Sequence, residues 1–193
     1  MDTNAFVEWF RANSEALRAR DPEVAGQEVM VELQKLDERL VAEVSDEVGG
    51  PRELVFSAQG DSELFELLED LAPRLATEGW TIHPLRPPRG FEFKLDADGT
   101  VLDARTLYFE PLESPSMPGI LGLRLFVDEP AVPALSELAW WVLETGIGEK
   151  ACALIEHLEV AALPEDTGDL MPIRALANFI DWHTHRRQSV ARS

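Results

Sequence analysis

A Gly-Gly-Pro break at residues 49–51 separates two stretches of the sequence whose apolar residues follow different periods. Before the break, apolar residues such as Phe6 and Phe10 recur every three or four positions, and a similar run extends from Val29 to Val44. This spacing is typical of amphipathic helices. After the break, short segments alternate apolar and polar residues, as strands do. We therefore expect helices first and a sheet afterwards.

The second of the N-terminal helices is predicted to be long. Asp21 suits an N-cap and Pro22 suits the first helical position. The apolar positions that follow have spacings of 4, 3, 4 and 4 residues: Val29, Leu33, Leu36, Leu40 and Val44. This pattern predicts one helix that continues to the Gly-Gly-Pro break. The pair is expected to pack as an antiparallel hairpin, although the seam of the second helix would also suit a homodimer, so monomer and homodimer both stay open.

Residues beyond the break predict alternating strands and helices. The predicted strands are ELVFSA, Trp80–Leu85, FEFKLDA, TLYFEPL, GILGLRLFVD and Glu156–Ala162. The predicted helices are DSELFELLEDLAPRLATEG, which Pro73 should kink or split, PAVPALSELAWWVLETGIGE, a short one near Lys150–Ile155, and one that starts at Pro172. The predicted helix PAVPALSELAWWVLETGIGE has a broad apolar face made by Leu135, Leu138, Ala139, Trp141 and Val142.

These elements predict an α+β fold. We expect an N-terminal helical hairpin at 1–50, an α+β domain at 51–188 and a polar tail at 189–193, all within one compact unit. Short loops between the strands favour a mixed, mostly antiparallel sheet of about five strands covered by helices.

The net charge of −19 restricts the partners of the chain. Nucleic acids and anionic membranes attract clustered Lys and Arg, whereas this chain carries 36 acidic and 17 basic residues. We therefore expect no nucleic-acid partner and no membrane partner. Acidity by itself also keeps a protein soluble and monomeric. A basic protein partner is the more specific interpretation.

The compartment follows from the cysteine content and the apolar pattern. Cys152 is the only cysteine, so no intramolecular disulfide can form. The sequence shows neither a secretion leader nor an apolar run of about 18 residues. These features predict a cytoplasmic protein. The marked preference for Arg over Lys favours a bacterial source.

No catalytic residue, metal ligand or cofactor is predicted. His183 and His185 are two residues apart in a predicted helix, where their side chains diverge by about 200°. Cys152 lies between two alanines in an apolar run, which favours a buried structural thiol over a nucleophile. Phosphate-loop, dinucleotide-binding and zinc-protease motifs are absent from the sequence. Whether the protein is an enzyme stays open, with a non-enzymatic role favoured.

The stretch WTIHPLRPPRGFEF offers the most specific candidate binding residues. Pro87 and Pro88 keep the chain extended, so Arg86 and Arg89 should be held at defined positions. Two interpretations are open. The arginines pair with acidic residues of their own chain, or they bind an anion bidentately. In the second case we expect a pocket that also involves Tyr108, Trp140 and His157.

Several segments together resemble an uncharacterised family of bacterial α+β proteins. They are ELVFSAQGDSELFELLEDLAPRLATEGWTIHPLRPPRG, LYFEPLE, LETGIGE and IEHLEVAALPED. The similarity covers roughly residues 53–183. It implies a cytosolic α+β domain and carries over no activity and no catalytic residue.

Charge and the lack of a catalytic constellation favour one function. We expect a non-enzymatic interaction protein, immunity-like or adaptor-like, whose acidic surface engages a basic partner. The alternative is a small-molecule-binding protein or enzyme with an anion pocket near Arg86 and Arg89.

Overall fold

The structure is a computed structural model that describes residues 2–46, 50–97, 99–112 and 120–190, the last five as backbone only. It divides into two compact units, Met1–Pro87 and Pro88–Ser193. The Gly-Gly-Pro segment, where the hairpin was predicted to end, lies within the first unit. Among the described residues, no helix combines the length and the apolar character that a membrane span needs.

The described residues of the first unit form three α-helices and a three-stranded sheet. Its elements are α1 (Thr3–Arg18), α2 (Pro22–Leu33), β1 (Val41–Asp46), β2 (Arg52–Ser57), α3 (Phe65–Leu71) and β3 (Trp80–His83). The strand order is β1-β2-β3, in which β1 is antiparallel and β3 is parallel to β2. The Asp21 carboxylate accepts a hydrogen bond from the Glu23 N–H, so the predicted N-cap of α2 is confirmed.

The prediction that the second helix reaches the Gly-Gly-Pro break is wrong. α2 ends at Leu33, and residues Val41–Asp46 form β1, which pairs with β2 over six positions. A spacing of four residues fits one helical turn and also two strand repeats, so Leu36, Leu40 and Val44 match both patterns. Pairing with β2, which the sequence spacing does not reveal, decides for the strand.

Pro73 splits the helical segment that follows β2, as predicted. Ser62–Leu64 form a 3₁₀ turn, α3 follows, and Ala72–Leu75 form a second 3₁₀ turn that contains Pro73. Proline lacks the N–H that a continuing α-helix needs. The segment therefore ends in the tighter turn.

In the described part of the second unit there are six strands and three α-helices. Its elements are β4 (Lys94–Ala97), β5 (Thr100–Asp103), β6 (Tyr108–Leu112), β7 (Leu121–Val127), α4 (Val132–Ile147), α5 (Glu149–Cys152), β8 (Ile155–Ala162), β9 (Met171–Pro172) and α6 (Leu176–Val190). β4 and β5 form a hairpin, and the other strands form a sheet in the order β8-β7-β6-β9. β7 and β8 are parallel, whereas β6 is antiparallel to β7 and β9.

The structure is α+β, but the prediction of one sheet of about five strands is wrong. The described residues form three sheets of three, two and four strands. Four of these six strand pairings are antiparallel. The three-stranded and four-stranded sheets are mixed, whereas the two-stranded sheet is antiparallel. Alternation along a sequence identifies a strand but not its partner, because pairing joins residues far apart in the chain.

One face of the four-stranded sheet belongs to the core of the second unit. Phe109 of β6 and Leu125 of β7 are register partners, and both are fully buried. They share one apolar cluster with Leu135 and Val142 of α4 and with Ile180 of α6. Because strand side chains alternate between faces, the intervening residues of β6, β7 and β8 lie on the opposite face.

Candidate functional site

The two arginines of the predicted pocket belong to different units. Arg86 is in the first unit, where its Nη2 donates to Glu43 Oε1 at 2.5 Å. Arg89 is in the second unit, and its backbone N–H donates to the Thr145 carbonyl at 2.9 Å. Arg89 therefore lies at the C-terminal turn of α4, where a cation is favoured by the helix dipole. Glu43 lies on β1, so Arg86 pairs with an acidic residue of its own chain.

Tyr108 and His157 lie on the polar face of the four-stranded sheet. Glu110, Arg124 and Glu159 are register partners across β6, β7 and β8 and form one row. Side chains two residues apart on a strand lie on the same face. Tyr108, two residues before Glu110 on β6, therefore lies next to the charged row on one side. His157, two residues before Glu159 on β8, lies next to it on the other side. Two of the five predicted binding residues thus share this face with three charged residues.

The charged row is an ion-pair network centred on Arg124. Arg124 Nη1 donates to Glu110 Oε1 at 2.7 Å, and its Nε donates to Glu159 Oε2 at 2.8 Å. His157 Nε2 lies 3.1 Å from Glu159 Oε1. The hydrogen bonds from His157 and Arg124 lower the pKa of Glu159. The two carboxylates, Glu159 first, raise the pKa of Arg124. Both groups therefore stay charged at neutral pH.

The pKa of Glu159 should rise toward its ordinary value of about 4.3 in His157→Ala and in Arg124→Met. Each substitution removes a hydrogen bond to the ionised carboxylate. Because the folded-state pKa lies below the unfolded one, the network stabilises the fold above about pH 4.3, and this contribution is lost as the pH falls through the lowered pKa. Carbon-13 NMR titration of the carboxyl group measures the shift.

Glu165→Gln is the control for this titration, because it removes an exposed carboxylate outside the network. It should leave the titration of Glu159 unchanged. If the pKa of Glu159 were unaltered in both His157→Ala and Arg124→Met, the network would not persist in solution.

α4 presents two exposed tryptophans side by side. Trp140 is 48% exposed and Trp141 is 50% exposed, and the Trp141 ring packs edge-on against Phe93 with centroids 5.6 Å apart. Glu137 and Glu144 lie three or four residues from each tryptophan, so all four side chains lie on one side of the helix. α4 contains no basic residue. We call the surface made by Glu137, Trp140, Trp141 and Glu144 the tryptophan face.

The sequence pattern misplaced Trp141. It predicted this residue on the inward face of the helix together with Leu135, Ala139 and Val142, which are buried. Trp141 is half exposed because it lies at the margin of the apolar stripe, where the large ring contacts Phe93 and still meets solvent. Trp140 was predicted in a pocket with Arg89, and the structure places both on or beside α4.

Other titratable groups have structural roles. Cys152 is buried, and burial, with smaller effects from Glu144 and Glu149, raises its pKa to about 12. Its thiol is therefore protonated at neutral pH, unlike a catalytic nucleophile. In the first unit, buried Glu53 binds Ser45 Oγ at 3.1 Å and His83 Nε2 at 3.0 Å. These two contacts satisfy a carboxylate that would be costly to bury alone.

The histidine pair near the C-terminus lies on α6, as predicted. The His183 ring packs against Phe179 with centroids 6.1 Å apart, and His185 Nδ1 lies 2.7 Å from the Asp181 carbonyl oxygen. Within the described part of the chain, no group of three or more His, Cys, Asp or Glu side chains is arranged to hold a metal ion.

A shallow groove of about 250 Å³ lies in the first unit. Its lining consists of Ala72, Pro73, Ala76, Thr77, Trp80, Ile82 and Pro84. Trp80 is held in place because its Nε1 donates to the Ser14 carbonyl at 3.2 Å. The lining includes no charged side chain and none of the five predicted binding residues. This groove therefore does not correspond to the predicted anion pocket.

Sequence reasoning named Trp140 but missed Glu110, Arg124 and the other members of the tryptophan face as candidate functional groups. A signal for the network was present, since each of three predicted strands carries a charged residue at an alternate position. Their register, which brings the three charges into one row, could not be deduced from that pattern. No family model matches the chain, and neither the curated proteins nor the solved structures compared with it gave a match.

Proposed function

We propose that this protein is a non-enzymatic, adaptor-like or immunity-like module that binds a basic protein partner in the bacterial cytoplasm. The observation that carries the proposal is the tryptophan face. Two adjacent, half-exposed tryptophans lie between two carboxylates on a helix without basic residues. Tryptophan is enriched among the residues that dominate binding energy at protein interfaces.

The chemistry of the tryptophan face favours arginine or lysine side chains in the partner. A guanidinium or ammonium group stacks on an indole ring with about 0.5–2 kcal/mol of stabilisation. The Glu137 carboxylate is exposed on the same side of α4, where it is placed to accept charge-assisted hydrogen bonds. Aromatic and acidic groups together therefore select cations over neutral or acidic surfaces.

The overall charge supports the same partner class. At −19 the chain attracts basic proteins from a distance and repels other acidic ones. Electrostatic steering raises association rates and weakens as salt rises. Binding through the tryptophan face should accordingly depend on ionic strength.

The double substitution Trp140→Ala and Trp141→Ala should weaken partner binding about tenfold or more. The measurement is affinity capture from a bacterial lysate at low and at high salt, followed by titration of the captured basic protein against each variant. Trp182→Ala is the matched control, because Trp182 is 54% exposed but lies on α6. This control should bind as the wild type does.

A second substitution tests the charge contribution. Glu137→Gln should weaken binding at low salt, with a smaller effect at high salt, because it removes a carboxylate and retains the shape of the side chain. The proposal would be contradicted if the partner were captured equally well at low and high salt and bound equally well to the double tryptophan variant. Fluorescence changes with small anions that vanish in Arg86→Ala and Arg89→Ala would favour the small-molecule alternative instead.

A further inference from the structure

β8 is a long strand at the edge of the four-stranded sheet. It runs for eight residues, Ile155–Ala162, and among the described residues its strand partner is β7 alone. Typical strands have about 5–6 residues. An edge strand presents backbone N–H and C=O groups to which another extended chain can pair.

The backbone groups that face the open edge of β8 can be identified from one hydrogen bond. Val127 is the register partner of Ala162, and the Val127 carbonyl accepts a hydrogen bond from the Leu163 N–H at 2.8 Å. In a parallel pair, this pattern means that Val127 directs both backbone groups toward β8 and bonds to residues 161 and 163. Along β8, successive residues direct their backbone N–H and C=O groups alternately toward β7 and away from it. Leu158, Val160 and Ala162 therefore direct their N–H and C=O groups away from β7.

The side chains of β8 form an alternating pattern along this edge. Leu158 and Val160 are partly buried and pack against the core cluster of the second unit. His157 and Glu159 lie on the opposite face, beside the Arg124 network. An added strand would extend both faces at once, so its residues should alternate as well. Apolar side chains fit beside Leu158 and Val160.

The charge of the other face specifies the polar residues of the added strand. On this face Glu110 and Glu159 carry two negative charges against one positive charge on Arg124, and Glu159 lies on β8 itself. Basic side chains are therefore favoured opposite Glu159, since unlike charges stabilise cross-strand pairs. A second copy of this chain is disfavoured, because each copy has a net charge of −19.

We propose that β8 accepts an extended segment of a partner protein, in which basic and apolar residues alternate, as an added strand of the sheet. Backbone pairing to Leu158, Val160 and Ala162 supplies the binding energy, and the side-chain alternation supplies the selectivity. This site is separate from the tryptophan face on α4, so the inference goes beyond the proposed function.

The test uses a capped peptide of about ten residues in which Lys and Val alternate. Hydrogen–deuterium exchange of the full-length protein should show slower exchange at Leu158, Val160 and Ala162 when the peptide is bound. Val160→Pro should weaken binding about tenfold or more, because it removes an outward N–H without removing a bond to β7. Proline is tolerated on an edge strand at such a position. Val160→Ala, which keeps the N–H, should bind like the wild type.

Peptide variants keep the test valid even where Val160→Pro fails to fold. A peptide that is N-methylated at every residue has no backbone N–H donor along either edge and should lose binding, as should a peptide in which Glu replaces Lys. Equal binding by either variant would overturn the proposal, and so would protection confined to α4 or dimerisation through β8 in sedimentation analysis. Trp140→Ala with Trp141→Ala should leave peptide binding unchanged, which separates this proposal from the proposed function.

Discussion

Replacing Phe109 with alanine is expected to lower the free energy of unfolding by about 3–5 kcal/mol. Phe109 lies on β6, is 0% exposed and packs against the Phe179 ring of α6 with centroids 5.6 Å apart. Alanine removes this ring and leaves a cavity that a strand paired on both sides is poorly able to close. Denaturant unfolding of the full chain, followed by circular dichroism, measures the loss.

Val101→Ala is the control for this substitution. Val101 lies on β5 and is 61% exposed, so its truncation should change the unfolding free energy by no more than about 0.5 kcal/mol. The Phe109 prediction also has a local readout, because Phe179 contacts Trp182 as well. A shift in tryptophan fluorescence without a loss of stability would show that the site collapses around the smaller side chain.

Gly146→Ala is expected to destabilise the protein by about 1–2 kcal/mol, although alanine is the better helix former by about 0.5–1 kcal/mol. Gly146 is buried near the end of α4, and an added Cβ would lie 2.2 Å from Cε1 and Cζ of Phe91. The Gly146 carbonyl also accepts a hydrogen bond from the Gly90 N–H at 3.1 Å. This backbone contact keeps the segment that carries Phe91 close to the helix, so the ring has little room to move. Thermal and denaturant unfolding measure the effect.

A double-mutant cycle identifies the clash as the cause. Phe91→Leu shortens the opposing side chain, so it should cost less in the Gly146→Ala background than in the wild type, with a coupling of about 0.5–3 kcal/mol. Ser136→Ala tests the same helix at an exposed position and should stay within about 0.5 kcal/mol of the wild type. Additive effects of Phe91→Leu and Gly146→Ala would contradict the steric explanation.

The two proposed surfaces select the same class of partner by different means. The tryptophan face uses side chains of α4, whereas the edge of β8 uses backbone groups, whose N–H is removed only by substitution with proline. Both surfaces lie in the second unit and both are acidic. A basic partner with one extended segment and one exposed arginine or lysine cluster satisfies the requirements of either surface.

Local features were predictable where neighbouring residues determine the conformation. Asp21 caps α2 because its carboxylate reaches the Glu23 N–H two residues away. Pro73 divides its helical segment because a missing N–H acts on the turn that contains it. Glu156–Ala162 was predicted as a strand and lies within β8. The cap of α2 and the break at Pro73 depend on residues within a few positions of one another, whereas alternation identified β8 as a strand without identifying its partner β7.

Long-range features were not predictable in the same way. Residues 41–46 have spacings that fit a helix and a strand equally well, and pairing with β2 decides between them. Arg124 binds Glu110 and Glu159 because three strands align in one register, which brings together residues 14 and 35 positions apart from it. Trp141 matched the apolar stripe of α4, yet the surrounding packing leaves it half exposed.

The sequence by itself determined the α+β class, the main helices and strands of the second unit and the strongly acidic charge, because propensity, periodicity and composition act locally or as sums over the chain. Tertiary structure alone decided that the described strands form three sheets, that β8 lies at an edge of its sheet among them and that two tryptophans share one exposed face. The physical reason is that pairing and burial depend on which distant segments meet, and the free energy of those contacts exceeds local preference.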